Sequence, residues 1–320
     1  MRHVDESTHR SDALMSDTGP ARARPRVAVL GAGIMGRAMA GRLLSQGLEV
    51  AVWSRHQSST AGLAAQGATA AAEASGAVVG ADVIITMLPT AEVTRAVMLD
   101  GGVVGALPPD AVWAQMGTIG LTATEELGRD LLGVRPDVTF VDAPVSGSRV
   151  PAETGQLLIL ASGPPSATDR LEPVFSALGR STLWLGPAGS GSRMKLVLNT
   201  WLAFQTEGAA ESAALAERFG LRAEDLLHAL RGNPLASDYA LAKLGHMEDG
   251  DYAPDFSLGW ALKDLDLVTT EAPEAAPVAV AIAARWRELV SAGWGNSDVS
   301  AARNGLGVSE RARDSQGPER

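Results

Sequence analysis

In the stretch GSRMKLVLNTWLAFQTEGAAESAALAERFG, which begins at Gly191, one lysine stands among apolar residues. Lys195 is flanked by Met194, Leu196, Val197 and Leu198, and Asn199 follows four residues later. On a helix that spacing puts the ammonium and the amide on one face. A lysine so placed either threads its charged head out to water or is kept inside, where it can pass a proton. Its immediate neighbours leave both readings open.

A second pattern with chemical meaning is RVAVLGAGIMGRAMAGRLL. Gly31, Gly33 and Gly36 fit G-x-G-x-x-G, with Ala32, Ile34 and Met35 between them. Gly31 permits the tight turn, Gly33 lets the backbone approach a pyrophosphate, and Gly36 allows helix to pack closely on strand. The helix that opens there presents its N-terminus to the phosphates. The alternative is a glycine turn that only packs. Here the motif follows a strand, opens a helix and leads to a second strand, EVAVWS, which is the context a dinucleotide site requires. That second strand does not end in the acidic residue that would bind a ribose 2′-hydroxyl. It ends in Ser54, Arg55 and His56, with Ser58 and Ser59 close behind. A guanidinium with hydroxyls matches a 2′-phosphate, so NADP is the expected cofactor, with NAD possible. His56 reads as a stacking or bystander residue. Leu88 and Pro89 in MLPT, and Thr118 in AQMGTIG, stand at strand ends where parallel sheets deliver ligand contacts.

These residues need elements to position them. From Arg26 to about Leu185, the apolar runs RVAVL, EVAVWS, DVIITML, AVWAQM, TFVDAP, LLILASG and TLWLG read as strands. IMGRAMAGRLLSQG and TEELGRDLLG read as helices between them. Such alternation predicts a parallel sheet covered on both faces. After Gly191 the spacing is helical throughout. The fold class is therefore α/β: a Rossmann-type parallel sheet domain over 26–188, then an all-α domain over 189–306, joined through a long helix. Residues 1–25 and 307–320 read as disordered tails.

The bulk composition narrows the function. The 320 residues carry 27 Lys and Arg against 37 Asp and Glu, a net charge of −10, which argues against a nucleic-acid partner. There is no cysteine, so disulfides, zinc thiolates and thiol catalysis are excluded, in keeping with a cytoplasmic protein. The five histidines (His3, His9, His56, His228 and His246) show no ligand spacing, and no metal is expected. No apolar run approaches the roughly 20 residues that span a bilayer, and no membrane partner is expected.

Taken in order, GAGIMGRAMAGRL, DAPVSGSRVPAETGQL, GSRMKLVLN and KDLDL resemble the motifs of the β-hydroxyacid dehydrogenase family over about Arg26 to Leu306. SGSRVPAETGQL is most similar to the glyoxylate/succinic semialdehyde reductase branch, which prefers NADP. The resemblance implies that Ser146, Gly147 and Ser148 bind the substrate carboxylate, a role suited to an anion nest of amides and hydroxyls. It implies that Lys195 is the catalytic acid/base and Asn199 its substrate-orienting partner. It further implies that Lys263 reaches from the helical domain to the cofactor, with Asp264 orienting that region. It implies a homodimer or homotetramer acting on a small acid or aldehyde, with a lysine pKa lowered by burial or a nearby cation. Without it, Ser146–Ser148 would be an ordinary turn and Lys263–Asp264 a surface charge pair. Two departures bear on substrate choice. Leu198 stands where many relatives have a first asparagine, and Pro273 cuts short the helix after KDLDL. Trp201, Phe204, Trp260 and Trp294 add bulk that shapes either the pocket or the core. Two other readings share the fold: an imine reductase, in which the lysine is usually replaced, and a non-catalytic dinucleotide-binding scaffold, in which it is lost.

Overall fold

The structure, a computed structural model, describes residues 24–306. The expected tails lie outside the described residues, apart from Arg24 and Pro25. Six short apolar runs form the first sheet: β1 (Val27–Leu30), β2 (Val50–Trp53), β3 (Thr69–Ala70), β4 (Val83–Thr86), β5 (Val112–Gln115) and β6 (Thr139–Asp142). Their order is β3-β2-β1-β4-β5-β6 and every pairing is parallel. The chain reverses direction across the sheet between β1 and β4, which opens a crevice at their carboxyl ends. All four residues of β1, β4 and β5 are buried, as a strand covered on both faces requires.

The longer helices are α1 (Ile34–Ser45), α2 (Leu121–Val134), α3 (Thr168–Leu178), α4 (Ser190–Arg218), α5 (Ala223–Leu230), α6 (Asp238–Asp249), α7 (Leu258–Glu271) and α8 (Pro277–Ser291). Alternate residues of each strand feed two cores. Val27 and Val29 pack with Met39 and Leu43 of α1, while Ala28 and Leu30 pack with Met98 and Leu127 on the other side. A second, three-stranded unit follows: β7 (Val145–Ser146), β8 (Leu157–Ala161) and β9 (Gly179–Trp184). Here β7 runs antiparallel to β8 and β9 runs parallel to it. The sequence predicts a wholly parallel arrangement, and β7 departs from it. After β7 the chain turns at Gly147, at φ +131, and returns through the short helix Arg149–Thr154 to β8, so the two residues of β7 pair with it in the reverse sense.

After Trp184 the described residues form only helices and turns, with one isolated bridge between Ser257 and Asp298. The helical core gathers Ala203 and Ala210 of α4, Leu258, Leu262 and Leu265 of α7, and Trp286 of α8. Buried polar braces tie it together. Trp286 Nε1 donates to Glu207 at 2.8 Å, and Lys243 donates to Asp298 at 2.7 Å. Helix α7 ends at Glu271, two residues before Pro273, which has no N–H to continue the ladder.

Candidate active site

The β1–α1 turn shows why its glycines are glycines. Gly31 has φ +107, and a Cβ there would lie 2.4 Å from the Met87 carbonyl oxygen. A Cβ at Gly36 would lie 1.8 Å from the Gly31 carbonyl oxygen. Gly31 is fixed by the close approach of the segment that leaves β4, and Gly36 by the approach of α1 to the turn. Gly33 is different: a Cβ there would meet nothing within 4 Å. It is the N-cap of α1 and supplies no side chain to close the first-turn amides, so an anion can take them. A cradle open at Gly33 and sealed at Gly31 and Gly36 fits a pyrophosphate. Around it, Ala32 is buried, Met35 is partly buried and Ile34 is exposed. Leu88 is buried and Pro89 exposed after β4, and a Cβ at Gly117 would lie 2.7 Å from the Leu88 carbonyl oxygen, so the β4 and β5 loops touch. Ser54, Arg55 and His56 follow β2, and the side chains of Arg55 and His56 are exposed. Nearby, Ser58 and Ser59 line a groove of about 550 Å³ with Ile34, Arg37 and Arg149.

The proton-transfer candidates come from the helical side. Asp264 on α7 is only 4% exposed and accepts from Asn199 Nδ2 at 2.5 Å. Its other oxygen lies 2.7 Å from Lys263 Nζ, an ion pair without hydrogen-bond alignment. Lys263 Nζ donates to the Thr118 carbonyl after β5, so α7 reaches the sheet's carboxyl edge. Lys263 also lies 5.9 Å from the Trp260 ring centroid. Lys195 is half-buried by surface area yet packed densely enough that burial governs its titration. Burial pushes it below the ordinary lysine range; the Asp264 carboxylate pulls it up, and the Lys263 ammonium pushes it further down. Lys195, Asn199, Lys263, Asp264 and Thr118 thus form one electrostatic group across the two domains. The surface-pair reading of Lys263–Asp264 does not survive the burial of Asp264.

Ser146 lies in β7, opposite Leu158, and β7 packs against α4. A Cβ at Gly147 would lie 2.8 Å from Leu157 Cδ2 and 3.1 Å from Pro151 Cβ, so this turn is fixed by packing. Ser148 precedes the short helix Arg149–Thr154 without capping it, which leaves its hydroxyl free of that helix. Of the four bulky aromatics, Trp294 stacks edge-on against Tyr252 with centroids 5.8 Å apart, and Phe204 packs on the helical core. Trp201 is exposed. Only Trp260 adjoins the charged group.

Three residues to which the sequence assigns no role belong to the same region. Asp142 ends β6, is fully buried, and binds the start of α4: its Oδ2 accepts from the amides of Gly189 at 3.1 Å and Ser192 at 2.8 Å. Burial raises its carboxyl, against hydrogen bonds from Ser192, Ser162 and Gly189. Ser162 accepts from the Gly191 amide at 2.9 Å. Glu271, at the end of α7, accepts from the Leu121 amide at 2.9 Å. The one clue in the sequence was an aspartate closing an apolar strand; the partners of Asp142 and Glu271 are 50 and 150 residues away. Among the described residues, no cluster of His, Cys, Asp and Glu is arranged to hold a metal, and no helix is long and apolar enough to cross a membrane.

The β1–α1 turn offers a helix N-terminus open to an anion, and α4 carries a lysine that burial desolvates. Both are features that a nicotinamide-dependent oxidoreductase uses. Residues 26–186 match the family model for the NAD binding domain of 6-phosphogluconate dehydrogenase. Residues 189–305 match that for NAD-binding of NADP-dependent 3-hydroxyisobutyrate dehydrogenase. The chain is 32% identical over 279 residues to glyoxylate/succinic semialdehyde reductase 1 of Arabidopsis thaliana, covering 86% of this chain and 96% of that protein. It superposes on the 3-hydroxyisobutyrate dehydrogenase of Mycobacterium tuberculosis, solved with L-serine, with TM-score 0.80 at 29% identity, over 88% of this chain and 99% of that one. Against an imine reductase from Pseudomonas sp. the TM-score is 0.58 at 24% identity, over 87% and 98%, a likeness of fold alone. The chain belongs to the β-hydroxyacid dehydrogenase family. It is an NAD(P)-dependent oxidoreductase of the hydroxy-acid and semialdehyde class.

Proposed function

We propose that the protein reduces the aldehyde or oxo group of a short-chain carboxylic acid with NADPH, and runs the reverse oxidation of the hydroxy acid. The carrying observation is that Lys195, lowered by burial, stands in one charged group with Asp264 and Lys263, beside Asn199. NADPH, when bound, supplies the hydride. Lys195 donates its proton to the substrate oxygen in reduction and accepts it in oxidation. Asn199 donates one N–H to Asp264, which fixes its amide and leaves the second N–H to donate to the substrate oxygen. Ser146, Gly147 and Ser148 hold the substrate carboxylate. Gly31, Ala32, Gly33, Ile34, Met35 and Gly36 surround the pyrophosphate, and Ser54, Arg55 and His56 surround the 2′-phosphate. Leu88, Pro89, Thr118 and Lys263 line the path between the adenosine and nicotinamide ends.

The protein acts as a homo-oligomer, a dimer or tetramer, in the cytoplasm. Support for assembly comes from α4, where Val197, Trp201 and Leu215 are exposed and recur on one helix face, with exposed Phe219 directly after its end. The test of activity follows nicotinamide absorbance with NADPH and NADH over glyoxylate, succinic, methylmalonate and tartronate semialdehydes, and one cyclic imine. Turnover of an acid aldehyde that is faster with NADPH supports the reading. Reduction of the imine alone refutes it.

A further inference from the structure

We infer that Asp142 is a positioning residue for the reaction: it anchors the first turn of α4 and so sets where Lys195 sits relative to the Ser146–Ser148 loop. The inference rests on the proposed roles of Lys195 and that loop. Its observation is a closed set of hydrogen bonds around one buried carboxylate. Oδ2 accepts from the Gly189 amide (3.1 Å), the Ser192 amide (2.8 Å) and the Ser162 hydroxyl (3.0 Å). Oδ1 accepts from the Ser192 hydroxyl at 2.7 Å, and that hydroxyl lies 3.2 Å from Thr124 Oγ1 on α2. The Gly191 amide between them donates to Ser162 at 2.9 Å. Of the opening amides of α4, which no residue of the helix can satisfy, those of Gly189, Gly191 and Ser192 are therefore taken by β6 and the residue after β8, and that of Ser190 by the Pro187 carbonyl.

The contact leaves no slack. A Cβ on Gly191 would lie 2.1 Å from the Leu160 carbonyl oxygen and 3.0 Å from the Asp142 carbonyl oxygen, so the helix start touches the backbone of two strands. Lys195 follows Ser192 by three residues, less than one turn. On the other side, Asp142 leads through Ala143 and Pro144 directly into β7 and Ser146. One side chain thereby joins, by main chain in one direction and by hydrogen bonds in the other, the segment read as the carboxylate nest and the helix that carries the proton donor. Because these two segments come from separate domains, their spacing needs a fixed point, and a misplacement of about 1 Å can cost on the order of 100-fold in rate.

Three variants test this. Asp142→Ala removes the acceptor of two buried amides. Its kcat is expected to fall about 100-fold, while the dissociation constant for NADPH, titrated by nicotinamide fluorescence, stays within about twofold, because Gly31–Gly36 lies on other elements. Asp142→Asn is expected to recover most of the loss. Its carbonyl oxygen can accept from both amides, and its NH₂ can donate to Ser192 Oγ, which then turns its own proton to Thr124. Ser162→Ala leaves the Gly191 amide without its acceptor and removes one of the three donors to Asp142 Oδ2 while keeping the carboxylate on both α4 amides; it is expected to lower kcat about tenfold, and it remains informative if Asp142→Ala does not accumulate folded. The inference is overturned if Asp142→Ala keeps the wild-type kcat, if NADPH binding falls in step with kcat, or if Asp142→Asn is as impaired as the alanine variant. Lys195→Met separates the two levels. If it is as active as wild type, the reading of the site fails; if it is inactive while Asp142→Ala and Ser162→Ala are not, only the anchor fails.

Discussion

Replacing Lys195 by methionine removes the proposed proton donor and keeps a side chain of similar length. A positioned proton-transfer group is worth about 10²–10⁴ in rate, or about 2.7–5.4 kcal/mol of transition-state stabilisation at 1.36 kcal/mol per decade. The loss should fall on kcat. NADPH affinity should hold, since Gly31–Gly36 is untouched, and KM should change little because the Ser146–Ser148 loop remains. The same substitution has a signed effect on stability. In the unfolded chain the lysine titrates at its ordinary value of 10.5, and in the folded chain burial pushes it lower. The unfolded state therefore binds more protons between those two values, so wild-type stability rises with pH across that window and the cost of the buried ammonium is fully present below it. The uncharged methionine side chain carries no such cost. Thermal melts should show the variant more stable than wild type near neutral pH, with the gap closing as pH approaches 10.5. Steady-state kinetics and melts over pH test both halves. A variant with wild-type kcat, or a Tm difference that does not change with pH, would refute the assignment of a desolvated catalytic lysine.

Further expected outcomes can be checked with the same assays. Asp264→Asn removes the charge that raises Lys195, so the alkaline limb of the reduction rate should move to lower pH; Lys263→Met removes the charge that lowers it, and the limb should move to higher pH. Shifts of the same sign in both variants would contradict the electrostatic picture. Gly36→Ala forces a Cβ to within 1.8 Å of the Gly31 carbonyl, and should cost about 1–3 kcal/mol in a denaturant titration, with NADPH binding lost. Arg55→Ala should weaken NADPH by about 1.5–3 kcal/mol, the worth of hydrogen bonds to a charged group, and leave NADH binding unchanged by fluorescence titration. Equal loss of both cofactors would remove Arg55 from the 2′-phosphate.

What could be read in the sequence was what is local. The strand β1, the glycine turn and α1 follow one another within about 20 residues, and their apolar runs and missing side chains are visible in order. The long α4 with Lys195 and Asn199 on one face was equally plain, because periodicity carries it. β3 and β7 were not legible. Each is two residues long, and β7 is defined only by where Gly147 turns the chain against β8. Asp142 was quoted within a motif but given no role, since an aspartate after an apolar strand looks alike whether it meets water or caps a helix 50 residues away. Asp264 needed its burial to be distinguished from a surface charge. Glu271 had no signal at all, because its partners are the backbone amides of a distant helix.

That last contact, with the Lys263 bond to Thr118, has a consequence for how the sequence can drift. Helix α7 meets the 118–122 segment through a carbonyl at Thr118 and amides at Leu121 and Thr122. Every residue type offers the carbonyl, and every type but proline offers the amide. These three bonds are thus blind to the side chains at 118, 121 and 122, whereas Gly120 between them is not, since a Cβ there would lie 3.0 Å from Leu267 Cδ2. Substitutions at 118, 121 and 122 leave the groups that hold α7 in place, and of these changes only a proline at 121 or 122 removes one of them.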